Sequence, residues 1–451
     1  MTRISIKKSP KQILVIGGGF AGINLAKKLA DNNYYEVTLI DKNNYHFFPP
    51  LLYQVATGFL ETSSISYPFR KFFRYNDNIH FRLGECTGVN TGTHTCYLDN
   101  GPLQYDYLVF AAGAVVNYYD IPNVERDAIP MKTVNDALQM RNTLLKSLEE
   151  ASITKCKATQ MKLLTIVVAG GGPTGVEVAG VLAELRKDML SKDYPELRNI
   201  PAEIYLVDAA PDVLMQMSER SQLEAYNSLR RLGVEIRLNN RVVGYENDQV
   251  LLADGDSIET KNLVWAAGIT GKIYSGIPLT SYGKGKRMIA DEYNKVTGVD
   301  DVFAIGDTCI QVHDQAFPAG HPQLAQVAIQ QGVNLAGNFL AISKDKQLKS
   351  FKYNDKGTLA IVGRNKAVAD LFKSKFHVGG FPALLVWLFI HLMGLVSWGN
   401  KFRTLYNWVV AYCTRDQSLR MIVRPTEAAD QKLEGEAHGE TVTDQQTIPA
   451  L

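Results

Sequence analysis

The sequence predicts an α/β protein with two Rossmann-like dinucleotide-binding domains, followed by a C-terminal region of amphipathic helices. Two short apolar runs, at 13–16 and 164–169, each lead into a G-x-G-x-x-G turn and then into a helical pattern. In this motif the first glycine makes the tight turn, the second lets the backbone approach a pyrophosphate, and the third allows close packing of helix on strand. One copy is a weak signal, but two copies in the same strand–turn–helix context indicate two dinucleotide sites.

The composition sets the broad class of the protein. A chain of 451 residues is too long for one ordinary domain, and its hydrophobic share of 46% can fill large cores. The formal charge of +2 gives no reason to expect nucleic acid as a partner. No C-x-x-C, metal-type cysteine pair or H-E-x-x-H occurs, so neither a disulfide framework nor a metal site is indicated. The basic N-terminus lacks the apolar core of a secretory signal, and we expect a reducing compartment.

The first domain continues from its glycine turn into a helix and a second strand at 37–40. This strand ends in Asp41, close to the spacing at which a carboxylate binds ribose hydroxyls; a loop-capping aspartate is the alternative. The aromatic, proline-rich stretch 43–58 could cover the core or form a wall beside a flat ring system. A strand at 108–113 ends in small residues, which let backbone approach a ligand. A helical pattern at 133–147 precedes a polar stretch, 154–161, that could be a linker.

The second domain repeats this plan. Its second strand, at 204–207, ends in Asp208, and a carboxylate there favours NAD over NADP because it repels a 2′-phosphate. The gap before this strand is long, and 187–202 has the character of an insertion that extends the helix and adds a loop. The strand 263–268 repeats the small-residue ending of 108–113, which indicates duplicated domain architecture.

The stretch after residue 300 holds a strand at 302–307 that ends in Gly-Asp, and then a helix that Pro322 could start. On that helix Gln323, Gln326 and Gln330 would share one face. An ordinary solvated face is the alternative explanation for these three side chains.

The C-terminal region begins with 376–400, which contains no Asp, Glu, Lys or Arg. It is long enough for a spanning helix to be considered, but two glycines and a proline break its first part and His391 interrupts its most apolar part. The following segment has one apolar stripe, formed by Phe402, Leu405, Tyr406, Val409, Tyr412 and Cys413. Its Trp408, Tyr406 and Tyr412 suit a membrane interface, and a single transmembrane helix or a buried dimer interface is the alternative. Basic residues outnumber acidic ones between 364 and 424, which suits anionic headgroups. The acidic, aperiodic end predicts a disordered tail.

Together these motifs resemble the type II NADH dehydrogenases, the single-subunit NADH:quinone oxidoreductases of the two-dinucleotide-binding-domain flavoprotein superfamily. The resemblance covers roughly 11–425. Its most specific parts are GGGPTGVE at 170–177 and AQVAIQQ at 325–331. They are joined by GGGFAG, FFPPLLYQVATG, LVFAAG, LVWAAG and VFAIGD.

The resemblance implies that the first domain binds FAD non-covalently and that the second binds NADH. The FAD-binding residues that it implies are Gly17, Gly19, Phe20, Ala21, Gly22, Asp41, Lys42, Pro50, Leu51, Ala112, Gly113, Gly306, Asp307, Ala325 and Gln326. The NADH-binding residues that it implies are Gly170, Gly172, Pro173, Thr174, Gly175, Glu177, Asp208, Ala267 and Gly268. Asp307 would bind the ribityl chain, and the helix N-terminus at Ala325 would face the flavin and stabilise its reduced, negative form. Glu177 would lie beside the nicotinamide, and Gln326 and Gln330 would line a quinone pocket; these three are the predicted catalytic residues.

From the sequence pattern and the resemblance together, we expect the chain to divide into five parts. Residues 1–161 and 290–375 form the FAD-binding domain, 162–289 the NADH-binding domain, 376–425 the membrane-attachment helices and 426–451 the disordered acidic tail. The implied activity is transfer of two electrons from NADH to a membrane quinone without proton pumping, which feeds a respiratory chain. We expect monotopic attachment to the cytoplasmic face of the cell membrane, and a homodimer stays open.

Three other functions remain in competition at this point. A disulfide reductase of the same architecture needs a close cysteine pair beside the flavin, and the spacing for one is absent. A sulfide:quinone oxidoreductase needs separated cysteines, for which Cys156 and Cys309 are candidates on count alone. A flavoprotein whose nucleotide state gates the binding of a partner would show no steady-state turnover.

Overall fold

The computed structural model describes residues 9–372, 376–414 and 421–423. Two five-stranded parallel sheets carry the two glycine turns. A three-stranded antiparallel sheet and two helices follow towards the C-terminus. The predicted tail, 426–451, lies outside the described residues.

Strands and helices are numbered along the chain. The strands up to residue 130 are β1 (Lys11–Ile16), β2 (Tyr35–Asp41), β3 (Tyr45–Phe47), β4 (Ser66–Pro68), β5 (Ile79–Leu83), β6 (Cys86–Asn90), β7 (Thr95–Leu98), β8 (Gly101–Gln104), β9 (Tyr107–Phe110), β10 (Val115–Val116) and β11 (Ile129–Pro130). The later strands are β12 (Ile166–Ala169), β13 (Ile204–Val207), β14 (Val234–Arg237), β15 (Val242–Glu246), β16 (Gln249–Leu252), β17 (Ser257–Glu259), β18 (Asn262–Trp265), β19 (Ile269–Thr270), β20 (Met288–Ile289), β21 (Val302–Ala304), β22 (Cys309–Ile310), β23 (Gly357–Ile361), β24 (Ala367–Leu371) and β25 (Phe376–Gly379). The helices are α1 (Phe20–Lys28), α2 (Leu52–Ala56), α3 (Thr62–Ile65), α4 (Phe69–Phe72), α5 (Pro122–Asp127), α6 (Val134–Ile153), α7 (Lys157–Leu164), α8 (Pro173–Lys192), α9 (Glu219–Leu232), α10 (Ala325–Ile342), α11 (Gly380–Gly394) and α12 (Trp398–Thr414).

The first sheet has the order β21-β9-β1-β2-β5, and all its neighbouring strands are parallel. β1 lies at its centre, so the glycine turn that follows β1 opens at the carboxyl edge of the sheet, where ligands bind in such folds. β21 comes from residues 302–304, and its pairing with β9 brings the late part of the chain back to the first sheet. The predicted strands of this domain are confirmed, with slightly different bounds.

The second sheet has the order β11-β18-β12-β13-β14 and is also parallel. β12 carries the second glycine turn, so the duplicated architecture that the sequence predicts is confirmed. β11 and α6 precede residue 162 in the chain but pack on this sheet. Ser147 of α6, for example, donates a hydrogen bond of 3.0 Å to Asn262 of β18. Between the two sheets, β10 and β19 form an antiparallel pair.

Two connecting segments differ in how well the sequence predicted them. The polar stretch 154–161 is not an open linker, because α7 begins at Lys157 and buries Leu163 and Leu164 at its end. The long helix and the loop predicted for 187–202 are present: α8 runs to Lys192, and a short 3₁₀ turn at Pro195–Leu197 follows.

The C-terminal part packs β23, β24 and β25 into an antiparallel sheet, from which α11 and α12 continue. The uncharged run that begins at Phe376 is therefore a strand first, and α11 starts at Gly380, whose φ of +67° suits glycine. α11 buries Ala383, Leu384 and Trp387 in the largest core of the protein. Within the described residues, no helix has the length and the hydropathy that crossing a membrane requires.

Candidate functional site

The two glycine turns are built alike. In the first turn, the Gly18 N–H donates to Asp41 Oδ2 at 2.7 Å. In the second turn, the Gly171 N–H donates to Asp208 Oδ2. Each carboxylate also accepts a backbone N–H from just beyond its strand, at 2.8 Å for Asp41 and 2.6 Å for Asp208. The two predicted ribose-binding acids therefore end equivalent strands and are fixed against equivalent turns.

The first glycine of each turn is required by a crossing strand. Gly17 has a φ of +105°, and a Cβ on it would lie 2.4 Å from the carbonyl oxygen of Ala111. Gly170 has a φ of +112° and the same 2.4 Å conflict with Ala266. No side chain fits at either position, because a strand end from the same sheet passes directly over the turn.

The second glycine of each turn faces open space. A Cβ added to Gly19 or Gly172 would meet nothing within 4 Å. These positions directly precede α1 and α8, whose first N–H groups and positive dipole ends attract phosphate. Each turn is therefore a cradle that a diphosphate can enter.

Burial shapes the chemistry of Asp41. Burial raises the pKa of its carboxyl group, and the N–H groups of Asn43 and Gly18 together with the Lys42 charge oppose this effect. These contacts are the ones expected of a loop-capping aspartate. They do not exclude ribose binding, because each carboxylate oxygen can accept more than one hydrogen bond. Lys42 itself is exposed.

His46 is a site residue that the sequence did not single out. It lies in β3, is 4% exposed, and its Nδ1 lies 2.9 Å from the carbonyl oxygen of Gly18. Its Nε2 is buried without a hydrogen-bond partner among the described residues. Burial lowers the pKa of His46, so a neutral imidazole supports the first turn, with its ring edge on Phe20. Only its place in the aromatic stretch 43–58 pointed to it.

A second cluster of charged groups surrounds the turn after β21. Thr308 Oγ1 donates to the Gly113 carbonyl at 2.8 Å, which joins the two small-residue loops of the first sheet. Asp307 lies 4.0 Å from Lys132 Nζ. Burial raises the pKa of Asp307, and the charges of Lys132 and Arg287 oppose that rise. Lys132 and Arg287 were missed because both are far from Asp307 in the chain.

The helix after this cluster begins later than predicted. α10 starts at Ala325, and Leu324 is its N-cap. Gln323 lies before the helix, and its amide donates to the Asp307 carbonyl at 3.1 Å, so it does not share a helical face with the later glutamines. The prediction that Pro322 starts the helix is therefore wrong, because residues 322–324 turn towards Asp307 first.

Gln326 and Gln330 are not a solvated face either. The Gln326 amide donates to the Gly357 carbonyl at 2.8 Å and accepts from Lys356 N at 3.2 Å. The Gln330 amide donates to the Asn354 carbonyl and accepts from Asn354 N, both at 3.0 Å. Both side chains hold the backbone of loop 354–357 against α10.

The neighbouring Gln331 is the buried member of this group. Its Oε1 accepts from the Gly306 N–H at 2.7 Å, and its Nε2 donates to Gln311 at 2.8 Å. It thereby fixes the turn at Gly306 and Asp307. No pattern in the sequence ranks Gln331 above Gln326 or Gln330.

Glu177 is buried where three parts of the chain meet. It is 8% exposed, and its Oε1 accepts from the Ile361 N–H of β23 at 3.4 Å. Burial raises the pKa of Glu177 to about 8, although the hydrogen bond from the Ile361 N–H opposes this rise. Burial and the charge of Glu177 also raise the pKa of Tyr53 in α2. A carboxyl group that holds its proton near neutral pH is suited to proton exchange.

An aromatic wall continues from Glu177 into the C-terminal helices. The rings of Trp387 and His391 are stacked, with their centroids 3.8 Å apart. Burial lowers the pKa of His391 to about 4, so this histidine is neutral. In α12, Trp408 Nε1 donates to Gln54 at 2.7 Å, and Gln54 donates to the Tyr53 hydroxyl at 3.0 Å. The helix α12 is thus tied to the surroundings of Glu177.

Of the remaining predicted positions, Ala112 and Ala267 lie against the first glycines of the two turns. Leu51 is fully buried in the core. Pro173 lines a cleft at the second turn together with Gly172, Asp208 and Asp212. The Ala267 carbonyl accepts from the Tyr119 hydroxyl at 3.0 Å.

The C-terminal helices expose a large apolar surface. Its members on α11 and α12 are Phe381, Leu385, Phe389, Ile390, Met393, Trp398, Phe402, Leu405, Tyr406, Val409 and Tyr412. The opposite side of α12 presents Asn400 and Thr404 to the segment 64–66. The predicted apolar stripe on this helix is therefore present and faces outward, but Trp408, which the sequence predicts at the membrane interface, turns inward to Gln54. An exposed apolar surface of this extent marks an interaction site.

The cysteines do not form the arrangement that a sulfur carrier needs. Cys156 is the exposed N-cap of α7, whereas Cys309 is buried in β22. Cys86 and Cys96, which the sequence did not pair, are in contact.

Comparison with protein families matches both parts of the chain. Residues 11–332 match the family described as pyridine nucleotide-disulphide oxidoreductase, and residues 356–416 match the NDH2 C-terminal domain. In Mycobacterium tuberculosis, the type II NADH:quinone oxidoreductase Ndh is 33% identical over 416 residues, which cover 89% of this chain and 88% of the relative. The type II NADH:quinone oxidoreductase NdhA of the same organism is 34% identical over 422 residues, which cover 90% and 87%.

Comparison with solved structures shows the fold. The NDH2 of Plasmodium falciparum, solved in complex with NADH, superposes with a TM-score of 0.83 at 21% identity and covers 92% of this chain and 100% of its own. The sulfide:quinone oxidoreductase of Aquifex aeolicus superposes with a TM-score of 0.68 at 17% identity and covers 94% of both chains. The fold is therefore shared with a sulfide:quinone oxidoreductase, whose activity is one of the alternatives considered above. The choice between the two activities depends on the site and on sequence identity.

Proposed function

Because the chain belongs to the type II NADH:quinone oxidoreductases, we propose that its two glycine turns serve the two halves of one electron transfer. The protein oxidises NADH and passes two electrons to a membrane quinone without pumping protons, and so feeds a respiratory chain. The observation that carries this proposal is the pair of equivalent turns, each with an open second glycine and a fixed carboxylate.

FAD is the flavin that we assign to the first turn. When bound, it takes a hydride from NADH and passes two electrons to the quinone. The open cradle at Gly19 and the unpartnered Nε2 of buried His46 fit a diphosphate-bearing cofactor. Asp41 would take the adenosine ribose and Asp307 the ribityl chain. The other proposed FAD contacts are Gly17, Phe20, Ala21, Gly22, Lys42, Pro50, Leu51, Ala112, Gly113, Gly306, Ala325 and Gln326.

NADH is assigned to the second turn. The cleft at Gly172, Pro173 and Asp208 would take its adenosine and diphosphate, and Asp208 would select the unphosphorylated ribose. Gly170, Thr174, Gly175, Glu177, Ala267 and Gly268 complete the proposed NADH site.

Proton supply to the quinone is the role that we propose for Glu177. A buried carboxyl group with a pKa of about 8 holds a proton at neutral pH and can release it to a neighbour. Gln326 and Gln330 would shape the quinone pocket by fixing loop 354–357. The N-terminus of α10 has no side-chain cap, so its free N–H groups would stabilise the negative charge of reduced flavin.

Membrane attachment is proposed for α11 and α12, within 376–425. Their exposed apolar surface suits one leaflet, and Lys401 and Arg403 suit anionic headgroups. We propose monotopic attachment on the cytoplasmic face, with the quinone entering between these helices and the FAD domain. That domain would comprise 1–161 and 290–375, except for β11 and α6, which pack on the sheet of the NADH domain at 162–289. A homodimer is compatible with this arrangement.

One experiment tests the whole proposal. The cofactor of one sample of the purified full-length protein is released by heat and identified by chromatography. A second, unheated sample is reduced by NADH without oxygen. A parallel sample is mixed with sulfide in place of NADH, and the NADH-reduced protein is reoxidised with a soluble quinone or with a disulfide. We expect FAD, reduction by NADH and not by sulfide, and fast reoxidation by quinone. Reduction by sulfide, or reduction of the disulfide at a rate similar to that of quinone, would contradict the proposal.

A further inference from the structure

Two buried cysteines outside the proposed quinone site are in direct contact. Cys96 Sγ lies 3.6 Å from Cys86 Sγ, with Cys96 as the donor. Their side chains are 0% and 2% exposed. They belong to neighbouring antiparallel strands, β7 and β6, and are separated by ten residues. Neither lies in a glycine turn or beside Glu177, so the electron transfer described above gives them no role.

A bulge explains how the two thiols meet. Cys86 lies opposite Leu98 and Cys96 lies opposite Val89, so the cysteines are diagonal neighbours, not direct partners. The register shifts between Cys86 and Gly88, where Thr87 is an extra residue. Such a bulge bends and twists its strand. Here it directs both side chains into the same core, which also contains Cys309.

The local chemistry makes the two sulfurs unequal. The S–H of Cys96 donates to Cys86, and this hydrogen bond lowers the pKa of Cys86 and raises that of Cys96. The Gly88 backbone and the charge of Lys272 also lower the pKa of Cys86, whereas burial opposes them. Lys272 is held near by an ion pair with Glu85. Two sulfurs in contact, one of them with a lowered pKa, form an arrangement from which a disulfide can close.

We propose that Cys86 and Cys96 form a reversible disulfide when the protein meets hydrogen peroxide. Cys86, after its thiol loses a proton, attacks one peroxide oxygen and the O–O bond breaks. The leaving hydroxide takes up that proton as one water, and Cys86 becomes a sulfenic acid. The Cys96 sulfur then attacks the sulfenic sulfur, so that the S–S bond forms and a second water leaves. The two thiols lose two electrons and two protons, and one peroxide is reduced to two waters. A small dithiol reverses the reaction by exchange.

The disulfide would stiffen β6, which is linked to the first sheet through residues 274 and 275. Val89 of β6 donates to the Ser275 carbonyl at 2.8 Å, and the ring of the adjacent Tyr274 packs at 4.6 Å on Phe110, the last residue of β9. The loop after Phe110 carries Ala112 and Gly113. An effect on FAD retention through this chain of contacts rests on the proposed function, whereas formation of the disulfide does not.

The test is a thiol map of the full-length holoprotein before and after exposure to hydrogen peroxide. Free thiols are alkylated under denaturing conditions, and the protein is digested with trypsin. The mass of peptide 83–126, whose only cysteines are Cys86 and Cys96, is then measured by mass spectrometry. We expect it to be unalkylated and lighter by two hydrogens after oxidation, and doubly alkylated after treatment with dithiothreitol. A non-reducing gel separates this internal bond from a cross-link between two molecules.

Variants of individual cysteines show which residues form the disulfide. The Cys156→Ser/Cys413→Ser protein lacks both exposed thiols and should close the disulfide as wild type does. Cys96→Ala should leave Cys86 as a sulfenic or sulfinic acid. Full alkylation of peptide 83–126 while Cys156 and Cys413 are oxidised would overturn the proposal, and so would a bond found only in gel dimers. If Cys96→Ala does not fold, the wild-type map still decides.

FAD retention separates this inference from the proposed function. The oxidised holoprotein should release its flavin at a higher temperature than the reduced holoprotein, as followed by flavin fluorescence. Equal release temperatures with a closed disulfide would contradict the predicted effect on FAD retention, whereas formation of the disulfide would stand. Absence of any flavin in the purified protein would contradict the proposed function and leave the thiol result intact.

Discussion

The carboxylate of Glu177 lies 3.4 Å from the backbone nitrogen of Ile361, which joins the helix after the second glycine turn to the C-terminal sheet. The two residues are 184 positions apart. Their contact is buried, and this burial keeps the carboxyl group protonated near neutral pH.

Replacing Glu177 with Gln should slow electron transfer without loss of FAD. The amide keeps the size and the contact with Ile361 but cannot exchange a proton, and positioned acids and bases contribute about 10²–10⁴-fold to rates. We expect flavin reduction by NADH, or its reoxidation by quinone, to slow by at least about tenfold in stopped-flow measurements. Glu219→Gln, at an exposed acid of α9, is the control. Unchanged rates in both half-reactions would remove Glu177 from the mechanism.

The same substitution should change how stability depends on pH. The pKa of Glu177 is raised from 4.5 to about 8 in the folded protein. Between these values the folded state binds more protons than the unfolded state, so this group lowers the stability of the wild type as pH rises. Glu177→Gln should therefore gain stability relative to wild type from about pH 5 to about pH 9, by roughly 1.4 kcal/mol for each unit of pKa shift. Urea unfolding at both ends of this window measures the difference, and a constant difference would show that Glu177 titrates normally.

Asp208 should decide the choice between NADH and NADPH. Its carboxylate is fixed by the N–H groups of Gly171 and Ala210, in position for ribose hydroxyls. Hydrogen bonds to a charged group contribute about 1.5–3 kcal/mol, so Asp208→Asn should lower kcat/KM for NADH by at least about tenfold and narrow the preference over NADPH. Asp41→Asn, the equivalent change in the first turn, should reduce FAD content instead. If the wild type uses both nucleotides with equal efficiency, the role of Asp208 is wrong.

Gln326→Ala and Gln330→Ala should affect the quinone step selectively. Each removes hydrogen bonds that hold loop 354–357 on α10. We expect a higher KM for quinone, by roughly three- to tenfold for a hydrogen bond of about 1 kcal/mol, while flavin reduction by NADH stays fast. Asn334→Ala is a matched control two turns further along α10, because its amide holds Lys349 in another loop. A slower NADH step with a normal quinone step would contradict this assignment.

Exposed aromatic residues of the C-terminal helices should hold the protein on membranes. Phe389 and Phe402 are 65% and 68% exposed, and burying such a side chain contributes about 1.5–3 kcal/mol. Phe389→Ser and Phe402→Ser should each weaken binding to anionic vesicles by about tenfold or more, as measured by sedimentation. Leu279→Ser, at a residue that is 73% exposed in another part of the chain, should leave binding unchanged. Equal vesicle binding by all three variants would exclude these helices as the attachment surface.

Local patterns in the sequence were sufficient for the two nucleotide turns. A strand, a glycine turn and the start of a helix lie within about ten residues, and their hydrogen bonds and dihedral angles depend mainly on those residues. The same is true of the apolar stripe on α12, since helical periodicity alone places Phe402, Leu405, Tyr406 and Val409 on one side. The equivalent ends at Asp41 and Asp208 follow from strand spacing in the same way.

The rest was decided by contacts between residues that are far apart in the chain. Glu177 is part of a glycine-turn motif in the sequence, but Ile361 and Trp387 bury it and change its protonation. The turn of Gln323 towards Asp307 delays the start of α10 to Ala325. A bulge in one strand brings Cys86 onto Cys96. Periodicity and spacing describe a chain along its own length, whereas burial, pKa and thiol contact depend on which distant segments the tertiary packing brings together.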